Sequence, residues 1–124
     1  RFVGPKKLVT VTESRRSDEN YTRLRKNARR LKEAVLEDGT HPELIELPMP
    51  SAVLFEGLRL PASYANFIIL NQSVLVPTFN DANDAAALNI LQSCFPGRQV
   101  IGIHSVDLIW GLGSLHCLSQ QIPC

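Results

Sequence analysis

The sequence predicts an α/β domain. Three observations carry that expectation. Two stretches, 21–36 and 84–95, repeat apolar residues at helical spacing. Short runs rich in β-branched and apolar residues stand before and after each of them. The resulting order is strand, helix, strands, hairpin, helix, strand, then a glycine loop. A chain of 124 residues, 44% hydrophobic and 20% charged, has ordinary globular composition and enough length for one domain with a core, so residues 1–124 are read as a single domain. Its two halves share no clear sequence motif, but each carries strands and one helix in a similar order, which hints at a structural repeat.

Lys7 to Thr12 reads as a strand through Leu8-Val9-Thr10-Val11-Thr12. Ser14 to Asn20 is a polar loop, with Asp18 or Asn20 suited to cap the helix that follows. That helix is expected over Tyr21–Leu36, with Tyr21, Leu24, Ala28, Leu31 and Val35 on one face at spacings of 3, 4, 3 and 4. Asp38-Gly39-Thr40 closes it, Gly39 being free to turn left-handed. Glu43 to Leu47 alternates as a short strand, and Pro48, Pro50 and Pro61 mark an irregular stretch with a strand near Ala52–Glu56. Tyr64–Leu70 and Ser73–Thr78 read as a hairpin around Asn71-Gln72, and their continuous apolar runs suggest strands covered on both faces. Asp81 is the expected N-cap of a helix over Asp84–Phe95, whose buried stripe is Ala87, Leu88, Leu91, Cys94 and Phe95. Pro96-Gly97 stops it, Gln99–Ile103 is a further strand, and Gly111-Leu112-Gly113 leads to Leu115-His116-Cys117.

Charge is uneven along the chain. Residues 1–34 hold 11 Lys and Arg against 4 Asp and Glu, and residues 35–124 hold 2 against 8. A basic half can serve nucleic acid, but no aromatic side chains interleave with the cations of residues 21–36, so the expected reading is the solvated face of a helix and no nucleic-acid partner. Cys94, Cys117 and Cys124 form no C-x-x-C pair, and an odd count argues against a secreted disulfide framework, which points to the cytoplasm. His41, His104 and His116 are scattered, so neither a metal nor another cofactor is expected. No apolar run approaches the roughly 20 residues that span a bilayer, and no signal peptide is legible, so no membrane partner is expected. The chain does not begin with Met and reads as a processed product or a piece of a longer protein.

Four motifs narrow this further: Leu60-Pro61-Ala62-Ser63-Tyr64-Ala65-Asn66-Phe67, Val76-Pro77-Thr78-Phe79, Asp81-Ala82-Asn83-Asp84-Ala85-Ala86-Ala87, and Trp110-Gly111-Leu112-Gly113-Ser114-Leu115-His116-Cys117-Leu118-Ser119-Gln120-Gln121-Ile122-Pro123. In order and spacing they resemble the C-terminal third of the agmatine deiminase family, which is also described as bacterial peptidylarginine deiminase-like. Arg1-Phe2-Val3 fits too, since in that family such a stretch follows a glycine-histidine-x-aspartate motif. Two departures stand out. The family commonly has more glycines where this chain has Leu112 and Ser114, and its hairpin turn is usually Asn-Gly where this chain has Asn71-Gln72. The resemblance implies a five-bladed α/β propeller of ββαβ-type modules. This chain would supply about two blades, residues 1–60 and 61–124, the second carrying the nucleophile.

The implied reaction is hydrolysis of a guanidinium, agmatine to N-carbamoylputrescine and ammonia, a step of polyamine biosynthesis. Neighbouring chemistries are the peptidylarginine and free-arginine deiminases. The guanidinium carbon is a poor electrophile, so the chemistry needs an ionised thiol, an acid/base and two carboxylates to hold the planar cation. The resemblance makes Cys117 the nucleophile. The residues alone allow either that or an inert buried cysteine, with the Gly-x-Gly loop before it permitting close approach to a ligand. Asn66, Trp110, Gly111 and Gly113 are the candidate substrate-binding residues. His116, its neighbour, is expected to face away from the substrate in an extended segment and to serve packing or hydrogen bonding. Cys94 is expected in the core and Cys124 exposed. Asp84 is expected to serve the helix start, and Gln120 and Gln121 to bond backbone near the nucleophile. In the family the catalytic histidine and the carboxylates come from upstream modules, so this chain by itself is expected to be incomplete and inactive, and to self-associate or to pair with the missing portion. The competing reading is a truncated relative that keeps the fold as a binding or structural module.

Overall fold

A computed structural model describes residues 1–122. The chain divides into two compact units, Arg1–Met49 and the remainder from Pro50 onward.

The first unit is a strand–helix–strand crossover. Strand β1 (Lys7–Thr12) and strand β2 (Glu43–Pro48) run parallel in register from Lys7–Glu43 to Thr12–Pro48. Helix α1 (Tyr21–Glu33) connects them, as a parallel pair requires. Leu8, Val9, Leu47 and Ala28 form its buried core. Arg1–Val3 folds back on β1: Val9 N donates to Arg1 O at 2.8 Å, and Val3 N to Lys7 O at 2.9 Å. Just past β1, the buried Glu13 carboxylate accepts both Arg15 Nε (3.2 Å) and Nη2 (3.1 Å), a fork that holds its pKa below the usual carboxylate value.

Helix α1 stops three residues short of the expected Leu36. Ala34 is already extended, the Leu36 N–H is donated to Thr40 O at 2.7 Å, and His41 Nδ1 bonds the Ala34 carbonyl at 2.8 Å. The 36–40 turn therefore takes the groups that another helical turn would need, and Val35, expected on the apolar stripe, stands 64% exposed. Gly39 has φ +78°, left-handed as expected, although it serves this turn and not the helix end itself. Arg23, Arg25, Lys26, Arg29, Arg30 and Lys32 are all exposed, with Arg29 paired to Glu33 and Lys32 to Glu46.

The second unit holds a three-stranded sheet. Strand β5 (Ile68–Ile69) pairs antiparallel with β6 (Ser73–Thr78), and β6 pairs parallel with β7 (Gln99–His104). The hairpin around Asn71-Gln72 is present, closed by Leu70 N to Ser73 O at 2.8 Å. Its first strand is only two residues, because Tyr64 and Ala65 form a turn. Helix α2 (Asp84–Cys94) crosses from β6 to β7 and buries Ala87 and Leu91 fully, with Phe67, Val74, Val76 and Phe95. A small ribbon precedes the sheet: β3 (Leu54–Phe55) and β4 (Leu58–Arg59), turned by Glu56 (φ +48°) and Gly57 (φ +78°). Sequence reading placed one strand there and missed its partner. Past β7, a 3₁₀ turn (Leu108–Gly111) leads into the last described segment.

The two units repeat one plan. Each has two six-residue parallel strands joined by a helix. Each helix begins with the same device. Asp18 Oδ1 accepts Asn20 N (2.9 Å) and Asp18 O accepts Tyr21 N (3.0 Å); Asp81 Oδ1 accepts Asn83 N (2.8 Å) and Asp81 O accepts Asp84 N (3.0 Å). Asn20 and Asn83 occupy the N-cap positions with near-identical helical backbone and make no side-chain cap bond. Asp81 is thus not the N-cap that was expected: each aspartate makes an Asx turn that leads the chain into the N-cap asparagine. An Asp-x-Asn motif is therefore shared by the halves, and sequence reading overlooked it. Among the described residues, no helix is long and apolar enough to cross a membrane.

Candidate active site

The site is built on two anchors in the second unit. Tyr64 is fully buried, and its hydroxyl donates to Asp84 Oδ1 at 2.7 Å. Burial, then the Asp84 carboxylate, push the Tyr64 pKa up, so the phenol stays a donor. The same carboxylate accepts Phe79 N (3.1 and 3.2 Å) and Asp81 N (3.1 Å), so Asp84 ties the start of α2 to the end of β6 and to Tyr64. The expectation that Asp84 serves the helix start holds, and its reach is wider. Phe67, also fully buried, meets Phe95 edge-on at 6.0 Å. Between these buried aromatics Asn66 is held in place with its amide free to face the segment that carries Cys117.

That segment is a turn. Leu118 N donates to Ser114 O (3.1 Å) and Ser119 N to His116 O (3.2 Å), so Leu115–Leu118 is not extended and the expected opposition of His116 and Cys117 across a strand does not apply. Asn66 Oδ1 accepts both His116 N (2.8 Å) and Cys117 N (3.2 Å), and Asn66 Nδ2 donates to Cys117 Sγ at 3.1 Å. Gly113 lies against Cys117 from the other side of the turn. A Cβ there would sit 2.9 Å from Cys117 Cβ, nearer than carbon atoms tolerate, so only glycine fits. Cys117 itself is exposed. A groove of about 980 Å³ lined by Ile68, Ile69, Gln72, Ser119 and Gln121 begins two residues past it.

The structure thus brings Asn66, Gly113 and Cys117 together. Trp110 is 53% exposed and stacks on Phe55 at 4.3 Å, and a Cβ on Gly111 would meet nothing within 4 Å. His116 is exposed and contributes its main chain. Gln121 Nε2 donates to Ile69 O (3.2 Å) and Gln120 Nε2 to Gln121 O (3.3 Å), backbone bonds of the kind expected. Cys94 is half-buried on α2, and Cys124 lies outside the described residues. Ser114, noted in the sequence only as a departure from the family's glycines, is fully buried, and its hydroxyl has no hydrogen-bond partner among the described residues. Among the described residues, no group of three or more His, Cys, Asp or Glu is placed to hold a metal ion. An exposed thiol on a pinned turn, with an amide N–H aimed at the sulfur, can act as a nucleophile.

Comparison with known proteins agrees with the resemblance read from the four motifs. The model of the Porphyromonas-type peptidyl-arginine deiminase family matches residues 1–123. The chain belongs to this family. A Porphyromonas gingivalis structure provisionally described as an arginine deiminase is 45% identical, with a TM-score of 0.96 over 99% of this chain and 36% of its own. The agmatine deiminase of C. jejuni is 32% identical, with a TM-score of 0.85 over 94% of this chain and 35% of its own. A Marinomonas sp. protein provisionally named an agmatine deiminase is 34% identical over 94% of this chain and 36% of its own length. This member of the peptidyl-arginine deiminase family thus spans about a third of the curated relatives it matches, the share that the resemblance to a C-terminal third implied. Its fold is that of the deiminases.

Proposed function

We propose that this chain supplies the nucleophile of a deiminase that hydrolyses agmatine to N-carbamoylputrescine and ammonia, as a step of cytoplasmic polyamine biosynthesis. The single observation that carries the reading is the exposed Cys117 thiol, seated between the Asn66 amide and the Gly113 turn. In this reading the Cys117 thiolate attacks the guanidinium carbon. A C–S bond forms and a tetrahedral adduct results. The C–N bond to one terminal nitrogen then breaks, a general acid protonates that nitrogen, and ammonia leaves an amidino-thioether. Water adds to the same carbon, its proton returns to the base, and the C–S bond breaks to release the urea product and restore the thiolate.

Residues 1–60 and 61–124 act as about two of five blades of the family's propeller. The histidine that moves the proton and the carboxylates that clamp the cation come from the remainder of the assembled enzyme, which is either a further stretch of polypeptide or a companion of this chain. Gly113 leaves room for the guanidinium beside the sulfur, and Trp110 with Gly111 forms part of the pocket wall. Asn66, whose Nδ2 donates to Cys117 Sγ, lines the site beside the thiol.

The test is a chimera in which this chain replaces the matching third of the C. jejuni agmatine deiminase. The expected outcome is ammonia release from agmatine, abolished by Cys117→Ala. A folded chimera whose melting temperature rises with agmatine but which releases no ammonia overturns the reading. The 124-residue chain by itself is expected to release none.

A further inference from the structure

We propose that the cavity between helix α1 and the sheet of the first unit is a binding site for a small molecule that carries linked phosphoryl groups. The site lies wholly within Arg1–Met49, so the inference does not depend on the chemistry at Cys117. The cations of α1 fall into two rows. Arg25, Arg29 and Lys32 follow one another at spacings of 4 and 3 residues, on one side of the helix. Arg23, Lys26 and Arg30, at spacings of 3 and 4, occupy the far side. The first row lines a cavity of about 410 Å³, within the range of small-molecule sites, and the second row lies outside it. The solvated helix face expected from the sequence thus has two sides of equal charge and different shape.

The first row holds donors that the chain does not use. Arg25 Nη1 donates to Tyr21 Oη at 3.0 Å, and its guanidinium stands over the Tyr21 ring at 5.9 Å. Arg29 donates through Nε to Glu33 Oε1 at 3.2 Å. Lys32 Nζ stands 3.9 Å from Glu46 Oε1, beyond hydrogen-bond distance. A guanidinium and an ammonium carry several N–H donors each, so most of this set has no protein acceptor among the described residues. Exposed ion pairs of this kind contribute little, so an incoming anion has little to displace.

Charge and length then select the ligand. Glu13 also lines the cavity, but its carboxylate is taken by the Arg15 fork and by Arg15 N at 2.8 Å. Glu46 is left as the one opposing carboxylate in the lining, against three cations. A monoanion gains little beside Glu46, whereas a multiply charged anion engages all three cations. From Arg25 to Lys32 the row extends about 10 Å along the helix axis. One carboxylate or one orthophosphate is too short to bridge it, and a chain of linked phosphoryl groups offers each cation an acceptor in turn.

The test is isothermal titration of the full 124-residue chain with inorganic tripolyphosphate. It is run in about 0.15 M salt, where long-range attraction is screened. The expected result is saturable binding at a single site. Arg25→Gln with Arg29→Gln is expected to weaken it by roughly tenfold or more, and Arg23→Gln with Arg30→Gln, which removes the same charge from the far row, by less than about twofold. Equal weakening by the two pairs, or no saturable heat, overturns the inference, because either result reduces the helix to a diffuse cationic surface. Citrate, a polycarboxylate, is expected to bind about tenfold more weakly than tripolyphosphate, and equal affinity overturns the phosphoryl assignment. Should the Arg25 and Arg29 pair not fold, Glu46→Gln decides. It removes the opposing carboxylate and is expected to tighten binding about threefold, a gain that misfolding does not produce. Unchanged or weaker binding in that variant overturns the inference equally. ATP without metal separates the two sources of such a ligand, and both of its outcomes support the site. Affinity above that of tripolyphosphate, lost in Tyr21→Ala, identifies a nucleotide, and equal or lower affinity identifies an inorganic chain.

Discussion

Leu112 carries a cost that the rest of the segment leading to Cys117 does not explain. It takes φ +63°, the left-handed conformation that glycine adopts freely and that costs an L-residue about 1–2 kcal/mol. It is also 72% exposed, so its side chain gains little from packing. The resemblance places glycines in this loop, and the backbone has kept a glycine-like shape under a leucine. Leu112→Gly is therefore expected to relieve the strain, less about 0.5–1 kcal/mol for the greater freedom of glycine in the unfolded chain. A small net gain in stability should follow, read as a higher urea midpoint at unchanged slope. A lower midpoint would mean that Leu112 packs usefully in solution. Gly113 next to it is the opposite case. Its constraint is space against Cys117, not backbone angle, so the two neighbouring positions answer to different physics.

The two helix starts invite a comparison within one molecule. Asp18 and Asp81 each accept the N–H of an N-cap asparagine, at 2.9 and 2.8 Å. Asp81 additionally accepts Ser51 N at 2.8 Å, which ties the start of the second unit to α2. Losing one such side-chain hydrogen bond typically costs about 1 kcal/mol. Asp18→Ala is expected near that figure and Asp81→Ala about 1 kcal/mol beyond it, since the Ser51 donor also loses its partner. Asp18 also pairs with Arg15 at 3.6 Å, so the Ser51 bond is isolated by comparing the two losses in an Arg15→Ala background, where equal losses would show that it contributes nothing. These starts also mark the limit of what the sequence discloses. Periodicity located both helices and the strands β1, β2, β6 and β7, because burial on one face leaves a regular apolar spacing. It overran α1 at Val35 because competition from the 36–40 turn is a matter of which carbonyl is nearest, which spacing does not encode. Cys117 and Asn66 were each legible as candidates, about 50 residues apart in separate motifs, yet the bond between them was not. An asparagine that binds substrate and one that binds the nucleophile look alike in one dimension.

The edges of both sheets bear on how the whole molecule behaves. Strand β2 is paired only by β1, and β7 only by β6, so each offers one unsatisfied edge among the described residues. In the second unit Leu54, Leu58, Trp110, Leu112, Leu118 and Ile122 are each more than half exposed. Open strand edges and large apolar side chains at the surface promote association. A chain that spans about a third of its curated relatives has, in those relatives, nearly twice its own length of further polypeptide available to cover such surfaces. Left alone, it is expected to cover them with copies of itself. Multi-angle light scattering of the purified chain should show a mass that rises with concentration, and Leu58→Lys with Leu118→Lys should lower it, because both side chains are exposed and neither serves the core. A concentration-independent monomer would mean that these edges are harmless in water. The proposed enzyme would then assemble through contacts other than the apolar face of the second unit.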